Sequence, residues 1–305
     1  LPPSQLGKGF LAQSFFTGLG ITLANLSLMF FQGVFGLGQS VGIPLWVYPA
    51  FLLGSVCSIA TVLISVLSTP ELEPTEKELA ELRASKGGPG HFIAEIKDAI
   101  VDMPVEMRKL ALVYLFQWYA MNIYWQYVSL SVSQSLYGTT DAHSEGYQLA
   151  VANTGVINGA YNIVTFCVAF GLVALARRLG AKWVHAIALW CATVGLLLFP
   201  QMPTLPLKVV AIVGLGIAWA SIMGVPYIMI VRMVPSTRYG VYMGIVNMMI
   251  VIPMLIQTLT FGAIYKNLLG DNPNNAIMAA GILLGIAGLV MLWVKEPPIV
   301  RDIEP

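Results

Sequence analysis

Long uncharged apolar stretches alternate with short polar connections along most of this chain, and eight of them are long enough to cross a bilayer. They run from Phe10 to Gly33, Pro44 to Leu67, Leu110 to Leu130, Ala150 to Ala174, Trp183 to Pro200, Val209 to Val231, Tyr239 to Ile264 and Ala276 to Val294. At about 1.5 Å of rise per residue, about 20 residues cover the roughly 30 Å of hydrocarbon, and a helix satisfies every backbone N–H and C=O within the segment. The pattern predicts an all-α integral membrane protein with eight transmembrane helices.

The polar positions inside the spans are distributed unevenly. Gln13, Asn25 and Gln32 lie in the first span, Gln117, Asn122 and Gln126 in the third, Asn153, Asn158 and Asn162 in the fourth, and Asn247 and Gln257 in the seventh. The second, fifth and sixth spans hold no amide, and the eighth has one only at its edge, Asn275. An amide turned to lipid without a partner costs roughly 2 to 7 kcal/mol, so the amide-bearing helices are predicted to face one another or water. The second, fifth and eighth are free to face lipid.

Helical spacing gathers these groups into stripes. Trp118, Asn122, Trp125, Gln126, Ser129 and Ser133 share one face of the third span, and Thr154, Asn158, Tyr161, Asn162 and Thr165 repeat its leading offsets on the fourth. Trp219 and Tyr227 share a face of the sixth. Together with Asn247 and Gln257 they predict a polar cavity with aromatic rings in its wall. Amides both donate and accept, which matches vicinal hydroxyls, and aromatic faces suit the C–H faces of a sugar ring. No fixed charge accompanies them, so the expected ligand is a small neutral sugar. The competing reading is that the amides join helices to one another.

Composition and charge sharpen the picture. With 57% hydrophobic and 10% charged residues, too little polar surface remains to cover a water-soluble globule of this size. A net charge of +1 gives no footprint for nucleic acid. Of the 16 Lys and Arg residues, all but Lys208 and Lys266 fall in alternate connections, which by the positive-inside rule places both ends of the chain in the cytoplasm of a multi-pass cell-membrane protein. The three cysteines, Cys57, Cys167 and Cys191, lie in spans and form no disulfide or zinc pattern. The opening Leu1-Pro2-Pro3 is expected to follow a missing N-terminal part.

The long connection from Ser68 to Lys109 separates two helices from six. The expected organisation is residues 1–69 as a two-helix piece, 70–107 as a cytoplasmic linker, 108–296 as a six-helix bundle and 297–305 as a tail. Within the linker, Phe92, Ile96, Ala99, Ile100 and Met103 share one helical face and Glu95, Asp98 and Asp102 the other, predicting an amphipathic helix on the membrane surface or against the bundle. Pro226 and Pro253 inside spans predict bends. Gly240 with Gly244, and Gly281 with Gly285, predict close helix contacts.

Catalytic chemistry is not in evidence: every Asp and Glu lies in a connection or tail, and there is no His-Glu-x-x-His and no nucleophile paired with a base. His185, near one end of its span, is expected to be a snorkelling or capped histidine. No cofactor is implied, and the chain is not expected to be an enzyme. The alternative to a carrier is a receptor or scaffold that does not transport.

Several stretches carry a resemblance. They are Ala218-Trp219-Ala220-Ser221, Pro226-Tyr227, the run Pro235-Ser236-Thr237-Arg238-Tyr239-Gly240-Val241-Tyr242-Met243-Gly244-Ile245-Val246-Asn247, Ile250-Val251-Ile252-Pro253, Gln13-Ser14-Phe15-Phe16-Thr17-Gly18-Leu19-Gly20, Tyr161-Asn162 and Ala176-Arg177-Arg178-Leu179-Gly180-Ala181-Lys182. The chain resembles the fifth to twelfth helices of sucrose-type sugar:proton symporters of the major facilitator superfamily, in a bacterial-like form. The resemblance implies a helical bundle of that fold whose first four helices are absent, alternating access for sugar transport, and H+ as the coupling ion. The coupling carboxylate would lie in the missing helices. Membrane lipid and those helices are the implied partners. It also implies a gating loop containing Arg178, Gly180 and Lys182, with Arg238 in the loop before the seventh span. The superfamily's loop motif G-x-L-A-D-R-x-G-R-K is altered here: Val173, Arg177 and Ala181 replace its first glycine, its acid and its second arginine. Losing the acid removes the charge pairing that usually makes this loop a conformational latch.

Overall fold

Uninterrupted apolar runs without glycine or proline clusters should form long helices, and they do. The computed structural model describes residues 3–69, 76, 79, 97–235 and 238–296, and within these the side chains of all but 3–15, 17, 170, 173, 177 and 231. Eight long helices are described: α1 (Pro3–Phe35), α2 (Val47–Ser68), α3 (Val105–Tyr137), α4 (Glu145–Leu179), α5 (Ala181–Leu198), α6 (Leu205–Met233), α7 (Tyr239–Asn267) and α8 (Pro273–Met291). Six of them, all but α3 and α4, are apolar and long enough to cross a membrane by composition. The expected eight spans are thus supported as six. At 33 and 35 residues α3 and α4 have ample length, but their amide and aromatic stripes make them less apolar than the rest.

Local chemistry sets the ends. Gly138 closes α3 in the left-handed conformation (φ 68°) and bonds back to Gln134 O. Ser144 caps α4 by accepting from Tyr147 N. A single residue, Gly180 (φ 90°), turns α4 into α5. Pro273 opens α8 behind the capping side chain of Asn272. α6 and α7 run on through Pro226 and Pro253.

Two compact units emerge: Leu1–Phe30 with Pro104–Pro305, and Phe31–Met103. In the second, Gln39–Ser40 (β1) pairs antiparallel with Ile43–Pro44 (β2) across Val41 and Gly42, and α2 presents no buried residue. Residues 97–101 are helical, with Ala99 buried and Ile100 exposed. The rest of the expected amphipathic helix and almost all of the charged linker lie outside the described residues.

In the first unit α8 packs on α3 and α5, α5 on α6, α6 on α4, and α7 on α3. Close approaches are made by glycines: a methyl at Gly195 would meet Ala211 O, one at Gly214 would meet Cys191 O, and one at Gly216 would lie 2.7 Å from Tyr161 O. Gly281 and Gly285 receive Leu196 and Thr193 of α5, as their spacing predicts. Gly240 and Gly244 do not behave as expected. Nothing described lies within 4 Å of a methyl at either. Two glycines not singled out by spacing, Gly155 and Gly159, receive Asn25 O and Leu26 of α1. α7 exposes Val251, Leu255 and Leu259 along one face.

Candidate functional site

Three tryptophans from two helices come together where α3 faces α6. The ring centroids of Trp118 and Trp125 are 6.4 Å apart, those of Trp118 and Trp219 6.0 Å, and those of Trp125 and Trp219 5.6 Å, the last two pairs edge to face. The seven-residue spacing of Trp118 and Trp125, about two helical turns, brings both to the side of α3 that meets Trp219 of α6. Trp118 is buried (5% exposed) while Trp125 reaches the surface (36%), so the trio runs from interior to rim. The indole N–H of Trp118 has no acceptor among the described residues.

The stripe on α4 comes up beside it. Tyr161 is buried, meets Tyr124 edge to face at 6.3 Å and neighbours both Trp125 and Asn162. The Tyr124 hydroxyl donates to Asn158 Oδ1 at 2.7 Å, and Asn162 Nδ2 donates to its own helix at Asn158 O, 2.8 Å. Thr165 Oγ1 donates across to Gly216 O of α6 at 2.8 Å. These α4 amides are therefore engaged within the protein.

Asn122 and Gln257 join α3 to α7. Asn122 Nδ2 donates to Gln257 Oε1 at 2.5 Å, with Met254 O at 3.2 Å and Thr258 Oγ1 at 3.3 Å, and Gln257 Nε2 donates to Gln126 Oε1 at 3.2 Å. Both are buried, and Gln126 is exposed. Tyr227 is half-buried beside Tyr114, and Asn247 is exposed on α7, away from every described contact of this cluster. Trp118, Trp125, Tyr161 and Trp219 are thus brought together, reaching the surface at Trp125, and the exposed Gln126 follows Trp125 in sequence while its described hydrogen bond goes to α7.

His185 proves to be hydrogen-bonded on both sides and not a snorkelling residue. It is fully buried, with Nδ1 2.9 Å from Ser221 Oγ and Nε2 3.0 Å from Gln117 Oε1, so it ties α5 to α6 and α3. Sequence spacing singled out neither Ser221 nor Gln117 as its partner, because the three belong to different helices. Lys208, which broke the charge alternation, is buried: Nζ donates to Phe199 O at 2.8 Å and lies 4.6 Å from the Phe199 ring centroid. The carbonyl just after α5 takes one of its three hydrogens.

Residues 110–304 match the profile of the Major Facilitator Superfamily. The chain belongs to that superfamily. Joined to six apolar helices of membrane length, this makes it a multi-pass membrane protein of a transporter superfamily. No curated protein matches it.

Superfamily membership gives the loop between α4 and α5 its interest. A carboxylate from far along the chain meets this loop: Glu296 accepts from the Lys182 backbone N–H, at the amino end of α5, and a methyl on Gly180 would lie 2.9 Å from it. Lys182 Nζ donates to Leu292 O at 3.4 Å. One residue earlier, Lys295 N donates to Glu106 Oε2 at 2.5 Å, and Glu106 Oε1 takes the Lys109 ammonium at 2.8 Å. Burial acts to raise the Glu106 carboxyl, but the bonds from Lys109 and Lys295 outweigh it and hold the group below the ordinary carboxylate value. Arg178 is exposed, and the Arg238 guanidinium lies 5.9 Å from the Tyr242 ring centroid. A cavity of about 250 Å³ opens between Glu106, Met233 and Glu296, 12 residues before Trp118 along α3 and 14 after Trp219 along α6.

Proposed function

We propose that this protein is a secondary active transporter that moves a neutral sugar or glycoside across the cell membrane by alternating access, coupled to H+. The observation that carries the reading is the Trp118–Trp125–Trp219 trio with the exposed amide of Gln126 one residue from Trp125. Indole rings offer apolar faces for sugar C–H groups and amides offer directional bonds for hydroxyls. No Asp, Glu, Lys or Arg belongs to the cluster. A charged amino acid or phosphate ester would find no counter-ion there, whereas a neutral polyol needs none. Asn158, Asn162 and Tyr227 support the walls, and Asn247 joins the site from α7 only if that helix moves.

On this reading both ends of the chain are cytoplasmic, residues 108–296 form one bundle of the carrier, and the group that takes the coupling proton lies outside the helices described. Rocking of two bundles about a site near mid-membrane supplies the transport cycle. Uptake of labelled neutral glycosides by cells expressing the protein, against cells lacking it, tests the assignment. Saturable uptake that collapses when the proton gradient is dissipated is expected. Uptake of charged solutes only would overturn the substrate class, and gradient-independent uptake would overturn the coupling.

A further inference from the structure

The α3–α7 amide chain has a polarity that the protein itself fixes. Amide nitrogen and oxygen are interchangeable by rotation unless a neighbour accepts only or donates only. Here the neighbour of Asn122 is a backbone carbonyl, Met254 O, which can only accept. The second neighbour, Thr258 Oγ1, donates its one hydrogen to the same carbonyl at 2.9 Å, so toward Asn122 it too can only accept. Asn122 must therefore turn Nδ2 toward α7. Gln257 must then present Oε1 to Asn122 and Nε2 to Gln126, and Gln126, accepting through Oε1, is left with its NH2 group directed elsewhere.

Burial changes sharply at the end of this chain. Gln257 is 1% exposed and Asn122 8%, whereas Gln126 is exposed and follows Trp125, itself at the rim, in the sequence. The first two are closed to solutes, and the third is open to them. We propose that Asn122 and Gln257 are positioning residues that hold Gln126 as a hydrogen-bond donor toward the bound sugar, so that the carrier selects for an acceptor oxygen at one ring position. The inference rests on the sugar-carrier reading above and narrows it: Asn122 and Gln257 act through Gln126 and do not touch the solute. Hydrogen bonds in such a chain polarise one another, which strengthens the terminal donor.

The test is competition against labelled glycoside uptake by the parent sugar and by a set of its monodeoxy analogues, in wild type and in Gln126→Leu, Asn122→Leu and the double variant. Removing Gln126 is expected to weaken the parent sugar about tenfold, the loss of one hydrogen bond to a buried ligand, while leaving one deoxy analogue unaffected. Asn122→Leu should weaken the parent sugar several-fold and be blind to that same analogue, and the double variant should be no worse than Gln126→Leu alone. Gln257→Met, which breaks the chain from α7 with little change in volume, should reproduce Asn122→Leu if the latter reaches the membrane in low amount. Multiplying effects in the double variant, or equal losses across every analogue, would show that Asn122 only joins helices and would overturn the relay. Should Gln126→Leu and Trp125→Ala both leave every affinity unchanged, the sugar site itself would be misplaced, a failure distinct from that of the relay.

Discussion

Single side chains here divide into those that bind helices together and those that reach a surface. His185 is of the first kind. Replacing it by Leu leaves Ser221 and Gln117 without their shared partner in a dry interior, at about 1 to 3 kcal/mol for each orphaned group. Thermal unfolding of the purified protein in detergent should shift down by several degrees, with apparent sugar affinity unchanged. Glu106 gives a pH prediction. Its folded value is lowered, so its contribution is complete above the ordinary carboxylate range and is lost as pH falls through the lowered value. Melting temperature should therefore fall on acidification in wild type, and Glu106→Gln should flatten that part of the profile. The stripe spacing in the sequence found the tryptophans and Tyr161. It could not say which amides were engaged, because Met254 O, the group that fixes Asn122, is a backbone atom 132 residues away and leaves no mark on side-chain pattern.

At the scale of helices, the apolar runs predicted all eight elements, since length without charge is a local property. Composition was a weaker guide to which of them cross the membrane on their own terms, since the stripes that make α3 and α4 interesting are what lower their hydropathy. Glycine spacing was legible only in part. Gly281 and Gly285 meet α5, yet Gly240 and Gly244 meet nothing described, and the contacts at Gly195 and Gly214 follow from how α5 and α6 cross. The contrast is measurable. Gly214→Val should destabilise by about 1 to 3 kcal/mol or more through overpacking. Gly244→Ala should be neutral or stabilising by up to about 1 kcal/mol from helix propensity. Detergent melting curves of the two variants decide this, and equal losses would mean that α7 is packed through Gly244.

For the molecule as a whole, the loop between α4 and α5 is met by a carboxylate from far along the chain. Glu296 could not be foreseen at this loop, because it lies 114 residues from its partner Lys182. Glu106 and Glu296 together fasten the segment after α8 to the amino ends of α3 and α5. If that fastening serves the transport cycle, Glu296→Gln should alter the turnover rate with little change in sugar affinity, read from initial rates across a range of sugar concentrations.

The central claim is that the tryptophan face between α3 and α6 binds a neutral sugar, and intrinsic tryptophan fluorescence of the purified protein reports on it directly. Titration with a transported neutral glycoside should give a saturable change in emission that is absent in the Trp125→Phe, Trp219→Phe double variant. An unchanged titration in that variant, or saturation by charged solutes alone in the wild type, would contradict the account.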